Sequence, residues 1–273
     1  MFVIIFFVFL HSLTIIIMRK FLFVSLPIAA ALMLSCRSHY QLTGVERTRI
    51  VVDSRYDASP DEAAASFLAP FKHVVDSAMG PVMGTIARNM EANRPESNLS
   101  NLLSDILVWA SANFGEKPVL GIYNMGGIRA ALVKGPVTYG DVIDVAPFEN
   151  KIAFTTLTGE NLLRLFRQIA KRGGEGVSHG CELVITADGQ LLSARLHGQE
   201  IDPKADYRIA TIDYLLGGND GLSVLNEGSN VISPQSTDNN ARFIIIDYFK
   251  QKAAKGEVVD ACVEGRIKVK SEK

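Results

Sequence analysis

Val119-Leu120-Gly121-Ile122-Tyr123, running into Asn124-Met125-Gly126-Gly127-Ile128-Arg129 and later into Pro147-Phe148-Glu149-Asn150, is the stretch on which the reading of the fold turns. The apolar run reads as a short buried strand, and the paired glycines at its end let the backbone turn with no side chain between it and a ligand. An amide and a guanidinium therefore flank a bare backbone at a strand end. Arg129 carries a permanent charge and a planar fork of donors suited to a phosphate or a carboxylate. A solvated surface arginine on an ordinary strand-to-helix turn is the competing reading, and the rest of the chain must separate the two.

Towards the N-terminus, Leu99, Leu102, Leu103, Ile106, Leu107 and Trp109 recur at helical spacing between Asn98 and Ala112, with Ser97 or Asn98 as cap. Arg88 to Ser97 is a polar loop holding Arg94 and Pro95, and Val82 to Ala87 is a short strand. Ser59-Pro60-Asp61-Glu62 reads as N-cap, proline at the first helical position and acids in the first turn, which predicts a helix to Ala78 stopped by Gly80. Arg49 to Asp53 is read as a first strand after a polar tether.

Towards the C-terminus, Thr138 to Ala146 is a brief amphipathic helix and Lys151 to Leu157 a strand. Thr158 caps a helix through Leu162, Leu163, Leu165, Phe166 and Ile169 that ends at Gly173-Gly174. Cys181 to Thr186 and Leu191 to Leu196 flank Asp188-Gly189, a hairpin signal. Tyr207 to Asp213 is a strand breaking into Tyr214-Leu215-Leu216-Gly217-Gly218-Asn219-Asp220-Gly221. Ser236-Thr237-Asp238 caps a last helix to Lys255, and Gly265 to Val269 is a final strand. Helices interleaved with hairpin strands predict an α+β fold with a mixed sheet and packed helices.

The chain has 273 residues and a net charge of −1, which gives no electrostatic footprint for a nucleic-acid polymer. Residues 1–35 read as a signal segment: Met18-Arg19-Lys20 is a basic start, Phe21 to Leu34 an apolar core, and Ser35 a small residue before Cys36. That pattern resembles the lipobox of bacterial lipoproteins, in which Cys36 would become the lipidated first residue. Translation is expected to begin at Met18, with residues 36–58 forming a lipid-anchored tether and first strand, and residues 59–273 the folded domain. Cys181 and Cys262 lack the neighbours of a zinc site, and both a disulfide and two buried thiols stay open for them.

Four blocks in order carry a family likeness: Asn98-Leu99-Ser100-Asn101-Leu102 through Asp105, Asn124 to Arg129, Pro147 to Asn150, and Tyr214 through Gly221. Over residues 80–252 or so, the chain resembles the C-terminal, substrate-binding domain of the 5'-nucleotidase family of UDP-sugar hydrolases and ecto-5'-nucleotidases. The resemblance implies that Phe148 and Tyr214 stack on the two faces of a base and that Asn124 contacts the base. It implies further that Asp220 accepts from the ribose hydroxyls and that Arg129 reaches towards ribose or phosphate. Gly126, Gly127 and Asn150 belong to the same substrate-binding set. Arg94 answers a family arginine after a one-residue shift. Taken one at a time, Phe148 and Tyr214 also read as core aromatics and Asp220 as a turn residue.

Two departures shape the functional expectation. Gly218-Asn219-Asp220 stands where the family shows two glycines before the acid, and an asparagine tolerates the left-handed backbone such a loop needs. More consequential is the family's metallophosphoesterase half, marked by Asp-x-His, Gly-Asp and Gly-Asn-His motifs: His11, His39, His73, His179 and His197 fall in none of them. No residue here is assigned a catalytic or metal-binding role. A divalent metal pair is expected instead on a separate metallophosphoesterase chain, making this chain the nucleotide-binding half of a split, exported 5'-nucleotidase, inactive alone and anchored on the periplasmic or cell-surface side of a bacterial membrane. The alternative is a lipid-anchored protein that captures nucleosides for uptake without catalysis.

Overall fold

The computed structural model describes residues 18–20, 41–59 and 61–270, which divide into two compact units at Pro60. Apart from Met18 to Lys20, the signal segment and Cys36 lie outside the described residues. In the first unit the expected strand Arg49 to Asp53 is absent: these residues are irregular, and Ser54–Tyr56 forms a single 3-10 turn instead. A strand needs a partner for its backbone groups, and Ile50 and Val52 are exposed with no ladder beside them. Asp53 turns the chain by accepting from the Arg55 backbone at 3.1 Å.

The second unit contains, in order, α1 (Glu62–Met79), β1 (Val82–Ile86), α2 (Asn98–Ala110), β2 (Leu120–Tyr123), β3 (Gly135–Thr138), α3 (Tyr139–Val145), β4 (Ile152–Thr158), α4 (Gly159–Lys171), β5 (Gly176–Val177), β6 (Cys181–Thr186), β7 (Leu191–Leu196), β8 (Gln199–Glu200), β9 (Asp206–Ile212), α5 (Asp213–Leu216), β10 (Ser229–Ile232), α6 (Ala241–Ala254) and β11 (Ile267–Lys270). A five-stranded sheet has the order β10-β4-β9-β2-β5, a four-stranded one β11-β6-β7-β8, and β1 pairs with β3 alone. Among these strand pairs only β2–β9 and β11–β6 are parallel, so the fold is α+β with mixed sheets.

Local chemistry explains the element ends. Ser97 and Ser100 form a reciprocal capping box that starts α2, and Thr138 and Asp141 form another that starts α3. Helix α1 begins two residues later than its sequence signal, because Asp61 rather than Ser59 accepts from the Ala63 and Ala64 backbone, each at 3.0 Å. Likewise Ser236-Thr237-Asp238 does not cap the last helix. Thr237–Asn239 turns as 3-10, and α6 starts after Asn240 with no side-chain cap.

The core lies between helices and the five-stranded sheet. Phe154, Phe166 and Phe249 are fully buried, each such burial contributing about 1.5–3 kcal/mol. Gly121 lets β2 lie directly on α2, where a Cβ would stand 2.4 Å from the Ser104 carbonyl oxygen. The C-terminal segment is held by buried Arg266, which grips Asp105 of α2 through bonds of 2.9 and 2.7 Å. Cys181 is a buried free thiol and Cys262 an exposed one, so neither of the two arrangements left open by the sequence, a disulfide or a pair of buried thiols, is seen.

Topology gathers three loops at one sheet end. Strands β2 and β9 are parallel neighbours, so their C-terminal ends point the same way, into Asn124 and Tyr214 respectively. Strand β4 runs antiparallel to β9 with Ile152 opposite Ile212, which brings Pro147 to Asn150 to the same end. Asp213 ties the two, its N–H donating to the Lys151 carbonyl at 2.9 Å and its carboxylate accepting from the Lys151 N–H at 3.1 Å.

Candidate functional site

Asn124, Gly126, Gly127, Phe148, Asn150, Tyr214 and Asp220 line one cavity of about 180 Å³ at that sheet end. Phe148 and Tyr214 are 48 % and 39 % exposed, so both rings are half in water rather than in the core. Two larger hollows, of about 330 Å³ beside Asn98 and about 510 Å³ beside His179, are lined by no Phe, Tyr or Trp. A volume of 180 Å³ lies below the roughly 300–1,000 Å³ that encloses a drug-sized ligand, so it suits one planar ring system with the remainder of the ligand outside.

Asn124 is buried at the end of β2, and its amide donates to Asp220 Oδ2 at 2.6 Å. Its Oδ1 has no hydrogen-bond partner among the described residues, leaving a buried acceptor at the site. Gly127 is required by this amide: a Cβ there would stand 2.6 Å from Asn124 Oδ1. Gly126, by contrast, faces outwards beside the Asp220 carboxylate.

The loop after β9 presents Asp220 in a left-handed conformation, φ 54°, between Gly218 and Gly221. Asn219 does not take that conformation. Its side-chain amide instead donates to the Tyr214 carbonyl at 2.7 Å, pinning the loop, while Asp220 accepts the strained backbone that short acids tolerate. Tyr214 donates its hydroxyl to Asp220 Oδ1 at 3.2 Å. Burial, followed by the nearby Asp220 charge, pushes the Tyr214 phenol above its ordinary pKa, so it remains a donor at neutral pH.

Neither sequence-predicted arginine lines the cavity. Arg129 is exposed at its edge, 3.5 Å from the Gly126 carbonyl oxygen. Arg94 is committed elsewhere, donating to the Gly174 carbonyl at 2.9 Å and to the Glu175 carboxylate. Glu175, unremarked in the sequence, is the hub beneath the site: its buried carboxylate also accepts from the Met125 N–H at 2.6 Å and from Arg172 at 2.5 Å. Arg172 was likewise missed, and its guanidinium lies 4.0 Å from Asp220 Oδ2. Burial works against the Arg172 charge, but the Glu175 hydrogen bond and charge outweigh it and raise its pKa. The only sequence signal for Glu175 was an acid between glycines, Gly174-Glu175-Gly176.

Two aromatic faces, a carboxylate and an amide around a shallow hollow can hold a flat heterocycle and accept from hydroxyl groups on its substituent. The family model for the 5'-nucleotidase C-terminal domain matches residues 79–227. This chain belongs to that family. The trifunctional nucleotide phosphoesterase protein YfkN of Bacillus subtilis is 27 % identical to it over 237 residues, which are 80 % of this chain and 16 % of that protein. Protein UshA of Yersinia enterocolitica is 23 % identical, over 75 % of this chain and 36 % of its own length. Among solved structures, a 5'-nucleotidase precursor from Thermus thermophilus has a TM-score of 0.66 at 27 % identity, covering 80 % of this chain and 45 % of that one. The 5'-nucleotidase C-terminal-domain chain thus spans less than half the length of these relatives. No helix among its described residues is long and apolar enough to cross a membrane.

Proposed function

We propose that this chain is the nucleoside-binding half of a split 5'-nucleotidase, exported and lipid-anchored through Cys36, with the phosphoester-cleaving metals on a separate metallophosphoesterase chain. The observation that carries the proposal is the convergence of Phe148 and Tyr214 with Asp220 and Asn124 around one cavity. The rings take the two faces of the base, each contributing about 1–3 kcal/mol. Asp220 accepts the ribose hydroxyls on lone pairs that Tyr214 and Asn124 leave free, a carboxylate having about four. Arg129, exposed at the cavity edge, steadies the phosphate as it leaves the pocket.

Among the described residues no three His, Cys, Asp or Glu side chains converge as a ligand set for a metal. A metal pair on the partner chain would supply polarisation of the phosphoryl group and activation of water. This chain's own part is capture and orientation, which lowers the entropic cost of the reaction. The test is phosphate release from nucleoside monophosphates. The purified chain alone should release none in the presence of divalent metal, and mixing it with its metallophosphoesterase should restore release in an Asp220-dependent manner. Release by the chain alone, lost in Asp220→Ala, contradicts the proposal.

A further inference from the structure

Helix α1 presents an apolar face that the described residues leave open except at its last residue, Met79, which lies against Gly140 of α3. Phe67, Leu68, Phe71, Val74, Val75 and Met79 are 37–70 % exposed, and the Phe67 and Phe71 rings lie 5.8 Å apart along the helix. At 3.6 residues per turn these six occupy an arc of about 140°, wider than the roughly 100° stripe by which a surface helix meets its core. Exposed apolar side chains gathered on one face mark an interaction site more than single scattered ones do. The opposite side carries Glu62, His73 and Asp76, with Lys72 paired to Asp76.

Charge and position select the occupant. A helix that lies in a membrane surface needs a basic polar face, and this one has a single lysine against two acids. Met79 is both the last residue of α1 and the first residue of the family match. That family domain is by its description a C-terminal one, so the longer relatives continue ahead of it. The likeness to the Thermus 5'-nucleotidase spans 80 % of this chain, more than the 195 residues from 79 to 273 can supply, and so reaches back into α1. The shared structure thus takes in α1 as well as the family domain that begins at Met79.

We infer that the apolar face of α1 is the docking surface for the metallophosphoesterase chain. This rests on the split-enzyme reading above.

The experiment places p-benzoyl-phenylalanine at position 71 or 74, or at position 73 on the polar side, in the full-length chain expressed in its native host. Irradiated cells give adducts for mass spectrometry, and unirradiated cells give native complexes for the same identification. The expected result is an adduct with a protein carrying Asp-x-His and Gly-Asn-His motifs, at least tenfold stronger from positions 71 and 74 than from 73. If such a protein co-purifies but positions 71 and 74 capture a second copy of this chain, a lipid or nothing, the docking surface is wrong and the split-enzyme reading stands. If no such protein appears in either preparation, the split-enzyme reading fails and the docking surface with it.

Discussion

Tyr214 donates its phenolic proton to Asp220 Oδ1 across 3.2 Å, so one aromatic wall of the cavity is held by the carboxylate it borders. Asn124 grips the other oxygen of that carboxylate at 2.6 Å. Stacking and hydroxyl recognition are thereby coupled through a single side chain. Tyr214→Phe should keep the aromatic face and lose the tether, leaving adenosine affinity within about threefold of wild type. Tyr214→Ala should lose about fivefold to 150-fold, the equivalent of one stacking partner. Isothermal calorimetry separates the two outcomes.

The same pair predicts a pH dependence. The Tyr214 pKa is raised in the folded protein by burial and then by the Asp220 charge. Its contribution to stability is therefore fully present below the ordinary tyrosine pKa of about 10 and is lost as pH rises through the higher folded value. The melting temperatures of wild type and Tyr214→Phe should differ by a constant amount from pH 6 to about 9 and converge or cross above about 10. A gap unchanged to pH 11 would show that neither burial nor the Asp220 charge raises the Tyr214 pKa on folding.

Glu175 should matter more for folding than for ligand contact. Its replacement by alanine leaves the Met125 N–H and the Arg94 and Arg172 guanidiniums without their shared acceptor. Because both arginines keep about a third of their surface in water, the expected loss is about 3 kcal/mol, below the upper end for fully buried pairs. For a domain of this size that is a fall in melting temperature of about 6–12 °C. Thermal denaturation by circular dichroism checks it, with Arg129→Ala as an exposed control expected to melt with wild type.

Arg129 divides ligands by charge. Exposed at the cavity edge, it should contribute nothing to adenosine and about 10- to 150-fold to the capture of a monophosphate, the range of a hydrogen bond to a charged partner. In the reconstituted system Arg129→Ala should raise KM with kcat nearly unchanged, which reports uniform binding. A fall in kcat at constant KM would place Arg129 at the reaction itself.

Gly127→Ala tests the loop geometry. A Cβ 2.6 Å from Asn124 Oδ1 must displace that amide, releasing Asp220 Oδ2. Adenosine affinity should fall by about tenfold or more while far-ultraviolet circular dichroism stays that of wild type.

Much of this site was legible because its residues belong to local signals. The Gly126-Gly127 turn follows an apolar run, and Phe148, Tyr214 and Asp220 stand at strand ends that the mixed sheet brings together. Residues whose roles depend on distant partners were not legible. Arg94 looked like a ligand arginine, but its guanidinium is taken by Gly174 and Glu175, some eighty positions away in the chain. Glu175 and Arg172 carry no motif, since a buried hub is defined only by what folds around it. Arg49 to Asp53 had strand composition but no neighbouring edge to pair with. The short strands β3, β5, β8 and β10, of two to four residues, carry too little alternation to be seen. The width of the uncovered face on α1 follows from the sequence by helical spacing alone, yet its exposure required the structure.

The most direct measurement is calorimetric titration of adenosine into the soluble chain from Arg37 onwards, in wild type, Phe148→Ala and Tyr214→Ala forms. Two stacking rings and a carboxylate, less the cost of immobilising the ligand, predict a wild-type Kd of roughly tens of micromolar to millimolar, weakened about fivefold or more by each substitution. If both variants bind adenosine as tightly as wild type, Phe148 and Tyr214 are packing residues and the cavity they line is not the nucleoside site.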